Sequence, residues 1–363
     1  MKAASAGFTL VETLVATALT LLVMSAVLSV ATPGAVLARM QPEAAEMQQR
    51  ARVGADTLLR DLLAAGAGLD TGPDAGSLVA FLPPAVPRRT GLTGSDSPDV
   101  VRADAITLTW LESGFAQATS SAPISSSAPS LAVAARPPCP PADVMCGFTD
   151  GADALVFDDR GHFDMFRVAN VAAGSAELRR HGTGIGYDYP AGTHVAVATT
   201  RIYYLDLANR QLRMTDGYLS DQPVVDNVVG LTFSYFGDPD PPIAPRPAAG
   251  TANCLYDEAG RPVSGMPRLA TAGASLSPLP LAMLNDGPWC GENGNRFDAD
   301  LLRVRQIRVT LRVQSADASF RAAGAWFAVP GTATRSDQLL PDYVLTVDVA
   351  PRNLVPRGAP WSS

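Results

Sequence analysis

Residues 7–22 read GFTLVETLVATALTLL, and the rest of the chain takes its meaning from them. A leader whose one charge is Lys2 ends at Gly7, and Phe8 then opens an apolar run broken by a single carboxylate, Glu12. Residues 8–32 number 25, which is about 37 Å as a helix and enough to cross a hydrocarbon core of about 30 Å. An ionisable group inside such a span is unfavourable without a partner, although a helix N-terminus itself favours a carboxylate. A secretory signal peptide would place a small-residue cleavage site after its apolar core. Here the apolar segment follows the candidate cut instead.

Beyond this span the sequence continues in helical period. Pro33-Gly34 is expected to kink or break the first helix, and Thr and Ser recurring through it suggest helix–helix packing. In residues 41–65 the stripe Ala51, Ala55, Leu58, Leu59, Leu62 and Leu63 lies mostly apart from Arg52, Asp56, Arg60 and Asp61. That pattern marks an amphipathic helix that needs a sheet to bury it, and Gly66 and Gly68 stop it. From about residue 104 the period becomes alternating. Strands are expected at 105–111, 154–157, 162–168, 195–200, 201–207, 211–215, 224–236, 304–313 and 343–349. The second and third should pair as a hairpin. The arginines of 303–312 fall on a strand and should form its solvated face. Two stretches read as loops by composition: Ser/Ala/Pro-rich 113–141, and 237–300, a functional loop or disulfide-held lobe. The predicted class is α+β, a long N-terminal transmembrane and amphipathic helix followed by a large antiparallel β-rich domain.

Composition narrows the function classes. The net charge is −7 and the 363 residues include 31 glycines and 30 prolines, favouring turns over helical bundles. No Lys/Arg block supports nucleic-acid binding. Four cysteines, Cys139, Cys146, Cys254 and Cys290, follow an exporting anchor and suggest disulfides. Three connectivities exist, and Cys139–Cys146 with Cys254–Cys290 is preferred. A metal site is the rival, but the spacings do not match paired zinc knuckles.

Catalytic signatures are absent: no nucleophile elbow, no H-E-x-x-H and no phosphate loop occurs. The glycines at 182, 184 and 186 lack the strand and helix of a phosphate site, and His162 and His194 read as sheet side chains. No enzyme activity and no cofactor are expected. Asn293, Asn295, Asp298 and Asp300 offer oxygen ligands at short spacing in a glycine-containing loop, as calcium prefers. An Asn/Asp-rich turn accounts for the same residues and is favoured.

Gly7, Phe8, Thr9, Leu10 and Glu12 together resemble the leader of type IV pilins and type II secretion pseudopilins. The resemblance implies cleavage between Gly7 and Phe8 by a prepilin peptidase and N-methylation of Phe8. It also implies that Glu12, fifth in the mature chain, pairs with a neighbouring subunit's terminal amine during assembly. Downstream, DNVVGLTFSYF (226–236), VRQIRVTLRV (304–313) and VAPRNL (349–354) resemble PilW-type minor pilins. The chain is then divided into a leader (1–7), a transmembrane helix (8–38), an amphipathic helix on a sheet (39–66), a β-rich domain (67–350) and a tail (351–363). The implied protein is a minor pilin taking part in pilus assembly or initiation. Its partners would be other minor and major pilins, with no small-molecule substrate. It would cross the inner membrane once, with its C-terminal domain in the periplasm, before reaching the pilus at the cell surface. A J-type pseudopilin of type II secretion shares the leader and fold. A membrane-anchored periplasmic binding module or adhesin, using the Cys254–Cys290 lobe, is the alternative of another class.

Overall fold

The apolar and amphipathic runs form one helix, α1, Leu10–Ala64, in a computed structural model that describes residues 9–69, 82–111, 117–135, 147–158, 162–172, 177–181, 185–243, 246–247, 250, 252–270 and 276–354. Pro33-Gly34 does not interrupt it. Proline removes one i→i−4 hydrogen bond, and the turns on either side carry the helix through. The chain divides into two compact units, residues 1–50 with 314–343, and residues 51–313 with 344–363. In the first, Met47 is buried and Glu43 accepts a hydrogen bond from the Ala316 amide at 2.6 Å. Buried Arg321 donates to Gln314 at 2.9 Å.

In the second unit the end of α1 buries Ala51, Leu58 and Leu62, while Arg52, Asp56 and Arg60 face solvent. Leu63, expected on the buried stripe, is 48% exposed. At Gly54 the helix packs closely on its neighbours: a Cβ there would stand 3.0 Å from Leu311 and 3.2 Å from Val225. Asp61 accepts the Tyr203 hydroxyl at 2.6 Å. The helix ends where Gly66 takes φ +79° and donates to the Thr109 carbonyl at 2.9 Å.

Sixteen strands follow among the described residues. They are β1 (Ala85–Val86), β2 (Ala105–Leu111), β3 (Gln117–Ser120), β4 (Ser130–Ala135), β5 (Asp153–Phe157), β6 (Phe163–Ala172), β7 (Glu177–His181) and β8 (His194–Asp206), then β9 (Gln211–Thr215), β10 (Asp221–Asp226), β11 (Val228–Gly237), β12 (Ser277–Leu279), β13 (Trp289–Cys290), β14 (Phe297–Asp298), β15 (Val304–Val313) and β16 (Tyr343–Val349). The fold is therefore α+β, an N-terminal apolar helix followed by a large antiparallel β-rich domain. The stretch 113–141 is not all loop, because β3 and β4 lie within it and pair with each other. The stretch 237–300 holds short strands and 3-10 turns.

β8 organises the larger sheet. Its second half pairs with β2 and β9, and its first half pairs with β3 and β5. Because β3 continues to β4, β7, β6 and β5, the order β8-β3-β4-β7-β6-β5 returns to β8 and closes a six-stranded barrel. A barrel that small is filled by its own side chains. Ala118, Val133, Val156, Phe166, Leu178 and Val195 are among those that form its buried core. A separate sheet runs β12-β11-β15-β16. Leu231, Phe233 and Tyr235 meet Leu311, Val309 and Ile307 across β11 and β15 and are buried. On the other face Arg308 pairs with Asp348 at 2.7 Å. The basic cluster is only partly a solvated face. Arg305 reaches Asp238 at 2.7 Å and is mostly buried, and Arg303, just before β15, is fully buried.

Candidate functional site

Three places in the chain are candidates for function: the head of α1, the acidic cluster around β14, and a cavity beside the barrel. At the head of α1 the predicted cleavage pair, Gly7 and Phe8, lies outside the described residues. Glu12 lies inside them. Its Oε2 accepts hydrogen bonds from the Thr9 backbone amide and hydroxyl, each at 2.9 Å, and the Thr9 hydroxyl accepts from the Glu12 amide at 3.3 Å. This is a capping box, in which two orphan amides of the first turn are satisfied reciprocally. Leu10–Ser29 then forms a 20-residue span of mean hydropathy 2.0, wholly exposed, with length and composition sufficient to cross a membrane. Its hydroxyls are turned back on their own helix: Thr13 donates to Leu10, Thr17 to Thr13 and Leu14, Thr20 to Ala16 and Ser29 to Ala26. That local bonding satisfies the polar groups that suggested helix–helix packing.

The four calcium candidates do not converge. Asn293 donates to the Gly186 carbonyl at 3.2 Å, and Asn295 donates to Asp164 Oδ1 at 2.6 Å, so both amides tie this segment to the end of the barrel. Asp298 and Asp300 are instead joined by Asp286, with carboxylate oxygens of the three within 4.8 Å of one another. The partners of this trio come from the protein. Asp298 accepts backbone N–H bonds from Asp286, Gly287 and Asp300 at 2.8, 2.6 and 2.8 Å. Asp300 faces the Arg303 guanidinium at 2.8 Å, with both side chains essentially inaccessible. Burial pushes the Asp300 carboxyl up to about 7 and Asp298 upward as well, while Arg303 is pushed down. Arg303 also donates to the carbonyl of Pro267 at 3.0 Å. A cationic side chain thus sits beside these carboxylates and clasps the 237–270 segment at the same time.

Cys254 and Cys290 are joined, with Cα atoms 5.1 Å apart. Cys139 and Cys146 lie outside the described residues. His194 opens β8 and stacks near Phe157, as a sheet residue would. His162 precedes β6. Its Nδ1 is 2.8 Å from Asp158 and its ring stacks on Tyr187 with centroids 4.0 Å apart.

The cavity was not foreseen from sequence. It has a volume of about 630 Å³ and lies where the 82–98 segment, the barrel and the 293–297 segment meet. Its wall draws on stretches over 200 positions apart, such as Arg88 and Asn295, so no local pattern announces it.

The architecture defines a class: a β-rich domain carried by one N-terminal helix apolar enough to span a membrane. Comparison with known families, with characterised proteins and with solved structures finds no match to this chain.

Proposed function

We propose that the chain is a PilW-like minor pilin that enters a type IV pilus through its N-terminal helix after cleavage at Gly7 and N-methylation of Phe8. The placement of Glu12 carries the reading. Its carboxylate lies in the first turn of an exposed apolar span, immediately after the leader motif. Only Oε2 takes part in the bonds to Thr9. A carboxylate has acceptor sites on both oxygens, which leaves Oε1 for a donor from outside the helix. A chain cut after Gly7 carries an ammonium at Phe8. The same group on a neighbouring subunit has the charge and the axial position to meet Glu12, and in low dielectric that pair would fix the register of one helix on the next. The domain that follows is antiparallel and packs on the end of the same helix from Ala51 onward, which suits a subunit that assembles by helix packing. The J-type pseudopilin shares all of this.

The capping box dictates the test. Glu12→Ala removes both the charge and the cap, whereas Glu12→Gln removes the charge and keeps a side chain that can complete the box. In a deletion strain both variants should fold, be cut after Gly7 and show Phe8 as N-terminal residue by mass spectrometry. Both should lose surface filaments and twitching. Full rescue by Glu12→Gln with failure of Glu12→Ala would make the residue a helix cap only and defeat the assembly reading. Loss of type II secretion with normal piliation would assign the chain to the secretion pseudopilus.

A further inference from the structure

The cavity beside the barrel is built like a ligand site, and the chemistry of its wall narrows the ligand. Its volume of about 630 Å³ falls within the range of about 300–1,000 Å³ usual for small-molecule pockets. Phe163, Met165, Ile185 and Phe297 supply apolar surface. The polar wall has two parts that behave differently.

Its charged groups are already committed inside the protein. Arg88 donates to the carbonyls of Pro98 and Arg296 at 2.8 and 2.6 Å. Asp96 is held by Arg89 and Arg102. Asp164 accepts from the Gly186 and Tyr187 amides, the Tyr189 hydroxyl and Asn295. Asp216 accepts three backbone amides, from residues 218–220, and faces Arg167 at 3.2 Å. A charged guest entering here would have to compete with these internal bonds for its partners while giving up its own hydration, which is unfavourable.

The other part is a set of hydroxyls: Thr109 and Thr200 deep in the wall, the latter donating only weakly to the Met165 sulfur at 3.9 Å, Tyr218, and Ser95 on the exposed rim. A hydroxyl can rotate to donate or accept, so these groups complement a guest that carries hydroxyls of its own. Apolar and aromatic surface beside rotatable hydroxyls, with the charged groups already hydrogen-bonded within the protein, matches a sugar ring with its C–H face and its rim of OH groups. We propose that this cavity is a binding site for an uncharged saccharide of one or two rings, either free or at the end of a glycan. None of its lining residues belongs to the head of α1, so it stands or falls independently of the filament reading.

The test uses the full chain in a detergent without a sugar headgroup. One arm is an array of tethered neutral, sialylated and sulfated glycans. The other is saturation-transfer NMR against free glucose, galactose, mannose, N-acetylglucosamine and their disaccharides. Binding to at least one neutral saccharide is expected, in the array alone for a glycan terminus and in both arms for a free sugar. Ser95→Trp, which places an indole on the exposed rim, should abolish it. Thr109→Val, which keeps the shape and removes one hydroxyl, should weaken it about tenfold, with the unfolding midpoint of both variants close to wild type. No binding in either arm, binding confined to acidic glycans, or neutral binding that survives both substitutions unchanged overturns the proposal.

Discussion

Asp153 and Arg167 face each other across β5 and β6, and Arg167 bridges two carboxylates, 3.0 Å from Asp153 and 3.2 Å from Asp216. Both carboxylates are buried, yet their environments drive them apart. For Asp216 the cost of burial is outweighed by the amides of Tyr218, Ser220 and Leu219 and by Arg167, which hold its carboxyl below the usual range. For Asp153 burial outweighs what Arg167 returns, and its carboxyl is pushed from 3.8 up to about 6. At about 1.4 kcal/mol per pH unit, that displacement corresponds to roughly 3 kcal/mol. Between about pH 4 and pH 6 the folded chain binds more protons at this site than the unfolded chain does. Stability therefore falls as pH rises through that window and levels off above it. Asp153→Asn mimics the protonated form, because the amide oxygen still accepts from Arg167. Urea unfolding of the full chain should give matching stabilities for wild type and variant near about pH 4. At about pH 7.5 the variant should equal or exceed wild type by up to roughly 3 kcal/mol, or about 4 °C in Tm. A variant less stable than wild type by about 1 kcal/mol or more at the higher pH would mean that the ion pair outweighs its desolvation. The reasoning would then be refuted.

Two further outcomes test the packing. Tyr203→Phe deletes the hydroxyl that reaches Asp61 of α1 at 2.6 Å and should cost about 1.5–3 kcal/mol, as expected for a hydrogen bond to a charged group; a urea midpoint that does not move would remove this tie between helix and barrel strand. Reducing the Cys254–Cys290 bond, which closes a sequence separation of 36 residues, should lower stability by about 4 kcal/mol on the chain-entropy account. Before reduction, thiol labelling of the denatured, natively extracted chain should be negligible, and two labelled cysteines would refute full pairing.

Strands with one wet face could be read directly from the sequence. The expected spans 304–313 and 343–349 coincide with β15 and β16, because alternation records burial on one side only. The spans 105–111 and 211–215 also coincide with β2 and β9, although β2 is buried at nearly every position and shows no wet face. Strands that change neighbours were harder to read. Residues 195–200 and 201–207 were expected as separate strands, but they form one, β8, within which pairing shifts around Ala198 from β3 to β2 on one edge. Residues 224–236 were expected as one strand and are split at Asn227, whose φ is +60°. β3 and β4, reading QATS and SLAVAA, have a composition that resembles a loop. Small side chains suit a narrow barrel, and a strand paired on both edges needs little intrinsic propensity of its own.

The candidate sites follow the same logic. Of the motif at residues 7–12 only residues 9–12 are described, and there Thr9 and Glu12 are bonded as their spacing allows. Residues 293–300 offered an equally local pattern, yet it divides. The β14 pairing that sets Asp298 opposite Trp289 brings it toward Asp286, and Asn295 is drawn to Asp164 on β6. Spacing predicts ligands only when a loop is free to fold around an ion, and here Asn293 and Asn295 are drawn to residues remote in sequence while Asp298 and Asp300 are held by neighbouring amides and Arg303. The cavity is the extreme case. It exists because β2 pairs directly with β8 while the intervening strands close into a barrel, which leaves Thr109 and Thr200, opposite each other on β2 and β8, in the wall of a space none of those segments could make alone.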